Sequence, residues 1–185
     1  MPRGGVVTGD VLASILELGL DIIVSRKIGA PHNPELALGA VMHDGSFIAN
    51  SNIMRILQIS NEYINKNIAI QMKEIQRRLS LFRHSQKYNL GGKTIILVDD
   101  GIATGASILA AVKWIRDQKP ETLIVAIPVA PKDAIQKLEA EEGINQVVVL
   151  ETPEPFGAVA AFYEDFSQVS DEEVLRIMNK YRPKS

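Results

Sequence analysis

The chain has 185 residues, 46% hydrophobic and 23% charged, which is typical of one domain that buries roughly 70% of its unfolded surface. A formal net charge of −2 gives no overall electrostatic support for a nucleic-acid partner, and the absence of cysteine excludes disulfides and thiol catalysis. No apolar run approaches the roughly 20 residues that span a bilayer, and no signal peptide is visible, so we expect a single cytoplasmic domain over residues 1–185 without a membrane partner.

Hydrophobic periodicity predicts alternating strands and helices. The predicted helices cover about 7–18, 55–84, 107–117, 132–142 and 171–181. The predicted strands cover 21–25, 36–42, 94–98, 122–129 and 146–150. From residue 94 onward the connections are short, which predicts βαβ units, a parallel sheet and ligand sites at the carboxyl ends of its strands.

The first candidate site is the N-terminal turn before the first helix. Arg3, Gly4 and Gly5 combine a guanidinium with two residues that leave backbone N–H groups uncovered. A pyrophosphate suits such a turn, because helix N-termini and arginine both bind anions. Taken alone, the same residues also fit a frayed terminus.

The second candidate site follows the strand predicted at 21–25. Arg26 and Lys27 precede a segment rich in glycine and proline that contains His32 and Glu35. Lys27 is a candidate for neutralising an anion, and His32 and Glu35 are candidates for acid–base chemistry or purine contacts. The alternative is a surface loop with ordinary turn residues.

The long helical pattern up to residue 84 ends in a basic cluster. Apolar residues line one face of this helix at helical spacing. The cluster includes Lys73, Arg77 and Arg78, with Glu74 as the opposing charge. One interpretation is a packing helix with a solvated basic face; the other is a dimer-contact arm that brings positive charge to a phosphate-rich site.

Residues 94–107 carry the most informative pattern in the chain. A β-branched strand ends in Asp99 and Asp100, and a turn containing Thr104, Gly105 and Ser107 leads into a helix. The helix N-terminus offers unpaired N–H groups to a phosphate, and glycine lets the backbone approach it closely. The paired acids suit sugar hydroxyls or a hydrated Mg²⁺.

This stretch resembles the phosphoribosyl pyrophosphate (PRPP) motif of the type I phosphoribosyltransferases. The resemblance implies that Asp99 and Asp100 bind the ribose hydroxyls. It assigns the 5′-phosphate to the turn formed by Ala103, Thr104, Gly105, Ala106 and Ser107. Gly101 departs from the family, which usually has an aliphatic residue or serine there. The alternative is an ordinary strand ending in two acids before a helix, as in many doubly wound proteins.

The resemblance extends to the other two candidate sites. Arg3, Gly4 and Gly5 correspond to the family's pyrophosphate loop, and Lys27 lies in an Arg-Lys-Xaa-Gly entry into a flexible loop. The family has a core strand before the pyrophosphate loop, and this strand is absent from this sequence. Either the true start lies upstream or the sheet lacks this strand, and we favour the first interpretation. Ala103 replaces an aspartate of the 6-oxopurine enzymes, which disfavours hypoxanthine and guanine and leaves Glu35 as a candidate general base.

The family implies an α/β fold with a mostly parallel central sheet flanked by helices and a small C-terminal hood, here at 151–170. It also implies transfer of a phosphoribosyl group from PRPP to a nitrogenous base with release of pyrophosphate. Mg²⁺ would be bound by Asp99 and Asp100, largely through substrate and water, and the protein would be a homodimer. The alternative is a regulator that binds PRPP or a nucleotide without catalysis.

Overall fold

The computed structural model describes residues 1–83 and 87–182, apart from the side chain of Glu35. Within these residues the chain forms two three-stranded sheets and the helices that cover them. In chain order the elements are α1 (Gly4–Ile15), β1 (Ser25–Ala30), β2 (Asn33–Met42), β3 (Phe47–Ala49), α2 (Ser51–Ile56), α3 (Asn61–Phe82), β4 (Thr94–Val98), α4 (Ala106–Asp117), β5 (Thr122–Val129), α5 (Lys132–Glu139), β6 (Gln146–Glu151), a short 3₁₀ helix (Val159–Phe162) and α6 (Asp171–Lys180).

The second half of the chain forms the parallel sheet that the sequence predicts. Its strand order is β4-β5-β6, and α4 and α5 connect neighbouring strands. Thr94 pairs with Thr122, and Ile124 pairs with Gln146, both in parallel register. This arrangement brings the carboxyl ends of the three strands to one edge of the sheet, where Asp99 and Asp100 follow β4.

The first half of the chain forms an antiparallel sheet of order β1-β2-β3. The strand predicted at 21–25 begins only at Ser25, and the buried residues 22–24 before it lie outside any strand. The segment predicted as a loop after Lys27 is the remainder of β1 and a hairpin back into β2. Gly29 permits this because a Cβ there would overlap the backbone of Pro34 in the returning strand.

The long helix predicted at 55–84 is two helices within the described residues, while its predicted last residue lies outside them. Asn50 caps α2 by accepting a hydrogen bond from the N–H of Ile53, and Ser60 caps α3 by accepting one from the N–H of Tyr63. These two caps satisfy backbone donors at separate helix starts, which is why the apolar pattern does not continue as one helix.

Two apolar cores hold the elements together. One lies between the parallel sheet and α4 and contains Leu97, Val112 and Leu123. The other joins the antiparallel sheet to α3 and α6, with Ile75 and Ile177 nearly inaccessible to solvent. Since α4 also contacts β1 and β2, it connects the two sheets into one body.

The free edge of β4 borders a groove. In the described part of the chain β4 pairs with β5 alone, and a cavity of about 480 Å³ separates its other edge from Leu20 and Ile22. The expected absence of a core strand at this place stays a prediction. No helix among the described residues is long and apolar enough to cross a membrane.

Candidate functional site

The two acids of the central motif lie at the carboxyl end of β4. β4 ends at Val98, so Asp99 and Asp100 begin the connection to α4. Both side chains are partly buried. Ile102 anchors the connection, because its N–H donates to the carbonyl of Val129 over 3.0 Å. The acids are therefore held at the rim of the sheet.

The N-terminal turn packs directly against these acids. Arg3 is the N-cap of α1, and Gly4 and Gly5 form its first turn, so this helix begins three residues earlier than the periodicity predicts. A Cβ on Gly4 would overlap the Asp100 carboxylate, and a Cβ on Gly5 would lie 2.8 Å from the Asp99 Cα. Only glycine fits at both positions. The N-terminal turn and the acid pair, which come from opposite halves of the chain, therefore pack together.

Asp99 lies in an environment that opposes its ionisation. Burial raises the pKa of Asp99 to about 6, the Met1 ammonium acts against this shift, and neighbouring Asp100 adds to it. The Met1 nitrogen lies 3.7 Å from Asp99 Oδ1 and donates to the Val98 carbonyl over 2.7 Å. The Asp99 side chain keeps 19% of its surface exposed, so it remains accessible to a ligand.

The predicted phosphate turn forms the N-terminus of α4. Gly105 is the N-cap with φ of 80°, a left-handed conformation that glycine adopts without strain. Ala103 and Thr104 are exposed before it, and Ala106 and Ser107 begin the helix. The first turn of a helix leaves its N–H groups available, so this turn has the geometry of an anion site.

The C-terminal segment predicted as a hood packs beside the acids. The Tyr163 hydroxyl donates a short hydrogen bond to the Asp100 carbonyl. A Cβ on Gly101 would overlap the Val159 side chain, so the glycine that departs from the family pattern permits close packing of the hood. Phe166 lies 5.1 Å from Tyr163, measured between ring centroids.

A cavity of about 460 Å³ lies between the N-terminal turn, α3, Asp100 and the hood. Its lining includes two cations, two carboxylates and two aromatic rings. These residues are Arg3, Arg78, Asp100, Asp165, Tyr163 and Phe166. The cavity thus combines charged groups with flat aromatic surfaces, a combination that suits a ligand with an anionic part and a ring.

The structure places the two candidate catalytic residues on the β1–β2 hairpin. Lys27 lies within β1, paired in register with Ala40, and its side chain is exposed. Glu35 lies in β2, and its side chain is outside the described part of the structure. His32 is exposed at the hairpin turn. Lys27 is not among the residues described as lining the cavity beside Asp100.

Sequence reasoning missed two features of the site. One is Tyr163, since no pattern in the sequence signals the bond from its hydroxyl to the Asp100 carbonyl. The other is Arg78, which sequence reasoning noted only within a basic cluster, whereas the structure places Arg78 at the cavity wall with its side chain 13% exposed. The excess of basic residues over Glu74 was the signal available for Arg78.

Comparison with known proteins identifies the class to which this fold and site belong. A family model described as a phosphoribosyl transferase domain matches residues 1–165. The chain belongs to this phosphoribosyl transferase domain family. The match confirms the family and fold class predicted from the residues around Asp99.

Particular relatives support the same assignment. "Putative phosphoribosyl transferase Rv0571c" and "Putative phosphoribosyl transferase MT0597", from two strains of Mycobacterium tuberculosis, are each 35% identical over 181 residues, 97% of this chain. The chain spans 40% of the length of these curated relatives. The crystal structure of TT1426 from Thermus thermophilus matches with a TM-score of 0.82 and 38% identity, covering 98% of this chain and 86% of that one.

Proposed function

We propose that this protein transfers a phosphoribosyl group from PRPP to a nitrogenous base and releases pyrophosphate. The observation that carries the proposal is the convergence of two helix N-termini on one pair of acids. α1 begins against Asp99 and Asp100, and α4 begins at the end of the short turn that follows them. PRPP carries a phosphate, a ribose diol and a pyrophosphate in that order. This order matches the start of α4, the acid pair and the start of α1, because each helix start can bind an anion.

The proposed roles follow from this order of groups. Asp99 and Asp100 accept hydrogen bonds from the ribose 2′- and 3′-hydroxyls. The turn formed by Ala103, Thr104, Gly105, Ala106 and Ser107 binds the 5′-phosphate. Arg3, Gly4 and Gly5 bind the pyrophosphate at the start of α1. Because both ends of the substrate are held, the ribose C1 is fixed for attack by the base nitrogen, and positioning supplies much of the rate enhancement.

The breaking bond joins C1 to the pyrophosphate oxygen. The bonding electrons leave with the pyrophosphate, while positive charge develops on the ribose ring and the nitrogen of the base forms the new bond. Ionised Asp99 and Asp100 lie beside the ring in this arrangement, where fixed negative charge stabilises the transition state. The raised pKa of Asp99 implies that about half of this charge is present near pH 6 and that it becomes complete only at higher pH.

Mg²⁺ belongs to the proposal as a partner of PRPP. Mg²⁺ in phosphate-binding sites usually keeps several waters and takes one or two carboxylates together with phosphate oxygens. Asp99 and Asp100 fit this mode, since they lie next to the turn proposed for the pyrophosphate. Bound there, Mg²⁺ would neutralise charge on the leaving group, while the acids orient the ribose.

Lys27 and Glu35 enter the proposal through the hairpin that carries them. The exposed ammonium of Lys27 would neutralise the leaving pyrophosphate, and Glu35 would accept the proton that the acceptor nitrogen loses. Both roles require the hairpin to approach the acids when substrate binds, as lid segments do in other enzymes. A cytoplasmic homodimer completes the proposal; light scattering on the purified protein tests the dimer.

The experiment that tests the function measures pyrophosphate release from Mg²⁺–PRPP. Each purine or pyrimidine base is added singly, and a reaction without a base is the control. The proposal predicts release that depends on one base, is absent without it, and falls at least about 100-fold in the Asp99→Asn, Asp100→Asn double variant. Binding of PRPP without turnover on any base would favour the non-catalytic regulator instead.

A further inference from the structure

Helix α3 brings a buried cation to the cavity beside the acid pair. Arg78 lines this cavity together with Arg3, Gly4 and Asp100. Its side chain is 13% exposed, whereas the adjacent Arg77 is 47% exposed and is absent from the described lining of the cavity. Burying an arginine is costly unless its donors are used, so the position of Arg78 calls for a partner in the cavity.

The hydrogen bonds of Arg78 leave part of its guanidinium available. Nε donates to Glu74 Oε1 over 2.7 Å, and Nη1 donates to the Pro2 carbonyl over 3.4 Å. A guanidinium has five N–H donors, so these two bonds, which are those found among the described residues, do not exhaust it. The Pro2 carbonyl directly precedes the Arg3–Gly4 turn, so the guanidinium lies next to the proposed pyrophosphate site.

Arg78 shares its nearest carboxylate with a second arginine. Arg77 and Arg78 both donate to Glu74, and their hydrogen bonds lower the Glu74 pKa to about 2. Asp171 lies 2.8 Å from Arg77 and 3.6 Å from Arg3. Because Glu74 does not serve Arg78 alone, the remaining donors of Arg78 are available to an anionic ligand in the cavity.

A further arginine lies near Arg78. Arg26 is half-buried and donates from Nε to Gln71 Oε1 over 3.0 Å. Burial, together with the nearby charge of Arg78, lowers the pKa of Arg26 below its ordinary value, and Glu74 acts in the opposite direction.

We infer that Arg78 is a further binding residue for the pyrophosphate group of PRPP, delivered from α3 to the turn at Arg3, Gly4 and Gly5. The inference rests on the proposed function, because it takes PRPP as the substrate. Arg78 would bind two pyrophosphate oxygens through its Nη atoms and keep Glu74 as the partner that orients its side chain. No ribose contact is assigned to it.

The test compares two neighbouring arginines that share one carboxylate. Arg78→Ala removes one hydrogen bond to Glu74 and Arg77→Ala removes two, but only the first variant removes the cation at the cavity. Titration calorimetry with Mg²⁺ measures the affinity for inorganic pyrophosphate, PRPP and ribose 5-phosphate. We expect Arg78→Ala to weaken pyrophosphate and PRPP at least about tenfold and to leave ribose 5-phosphate unchanged. Arg77→Ala should bind all three like the wild type.

Two further variants guard against misfolding. If Arg78→Ala does not fold, Arg78→Gln and Arg78→Lys keep most of the side-chain stem, and Lys should retain more pyrophosphate affinity than Gln because it keeps the charge. Equal pyrophosphate affinity in the Arg78 and Arg77 variants, with PRPP still bound, overturns this inference alone. Parallel loss of ribose 5-phosphate also overturns it. A wild-type protein that binds neither PRPP nor ribose 5-phosphate overturns both this inference and the proposed function.

Discussion

Asp99 is subject to two opposing demands at the scale of the single residue. Its position under the first turn of α1 removes water and raises its pKa to about 6, above the value it has in the unfolded chain. The proposed ribose contact, in contrast, uses the ionised carboxylate. The folded protein therefore sustains an unfavourable charge at neutral pH, a cost that is typical of functional sites.

This conflict predicts that Asp99→Asn stabilises the free protein while weakening substrate binding. Because the pKa of Asp99 is higher in the folded than in the unfolded protein, ionisation of Asp99 lowers the free energy of unfolding. This loss is complete well above pH 6 and absent well below the unfolded pKa near 4. We expect the melting temperature of Asp99→Asn to exceed that of the wild type by roughly 5 to 11 °C at pH 8, with the difference shrinking toward pH 4. Thermal unfolding across pH measures it.

Two results would contradict this account of Asp99. One is a variant less stable than the wild type at pH 8. The other is a stability difference that does not change between pH 8 and pH 4. Either result would mean that ionisation of the Asp99 carboxylate does not lower the stability of the folded protein.

At the scale of the element, the C-terminal segment predicted as a hood is held to the connection between β4 and α4 by close packing of backbone and side chain. Gly101 lies under the 3₁₀ helix, where Val159 occupies the space that a side chain would need. The Tyr163 hydroxyl bonds to the carbonyl just before this glycine. The departure of Gly101 from the family pattern therefore has a structural cause in this chain.

Gly101→Ala should separate the hood from the turn. Adding one methyl group against Val159 overpacks the contact, and we expect a loss of about 1 to 3 kcal/mol in the free energy of unfolding. Gly157→Ala in the C-terminal segment is the matched control, because no heavy atom beyond its chain neighbours lies within 4 Å of the added Cβ. Urea unfolding of both variants measures the difference, and equal stabilities would contradict the packing described.

Elements differ in how far their residues predict them. The parallel sheet follows from its own pattern, since β-branched runs alternate with helices that have short connections. The β1–β2 hairpin cannot be predicted from its pattern, because Gly29 and Pro34 are typical of loops. In the structure Gly29 lies inside a strand and leaves room for the Pro34 backbone. A glycine required by close approach cannot be distinguished, in sequence, from one required by a turn.

At the scale of the whole molecule, the site joins segments that are distant in the sequence. The order of residues at 99–107 predicts one anion site and one acid pair, each from local chemistry. The contact of Gly4 and Gly5 with those acids depends on how α1 packs against β4, which spacing does not specify. The position of Arg78 on the cavity wall depends on the packing of α3 in the same way.

The most direct test of the central claim is thermal unfolding with and without Mg²⁺–PRPP. Ligand at about 100 times its dissociation constant should add roughly 2.7 kcal/mol of stability, a rise of roughly 5 to 11 °C for a chain of this size. The account predicts this rise in the wild type and its absence in the Asp99→Asn, Asp100→Asn double variant, which should remain folded. An equal rise in both proteins, or none in the wild type, would contradict the assignment of PRPP to this site.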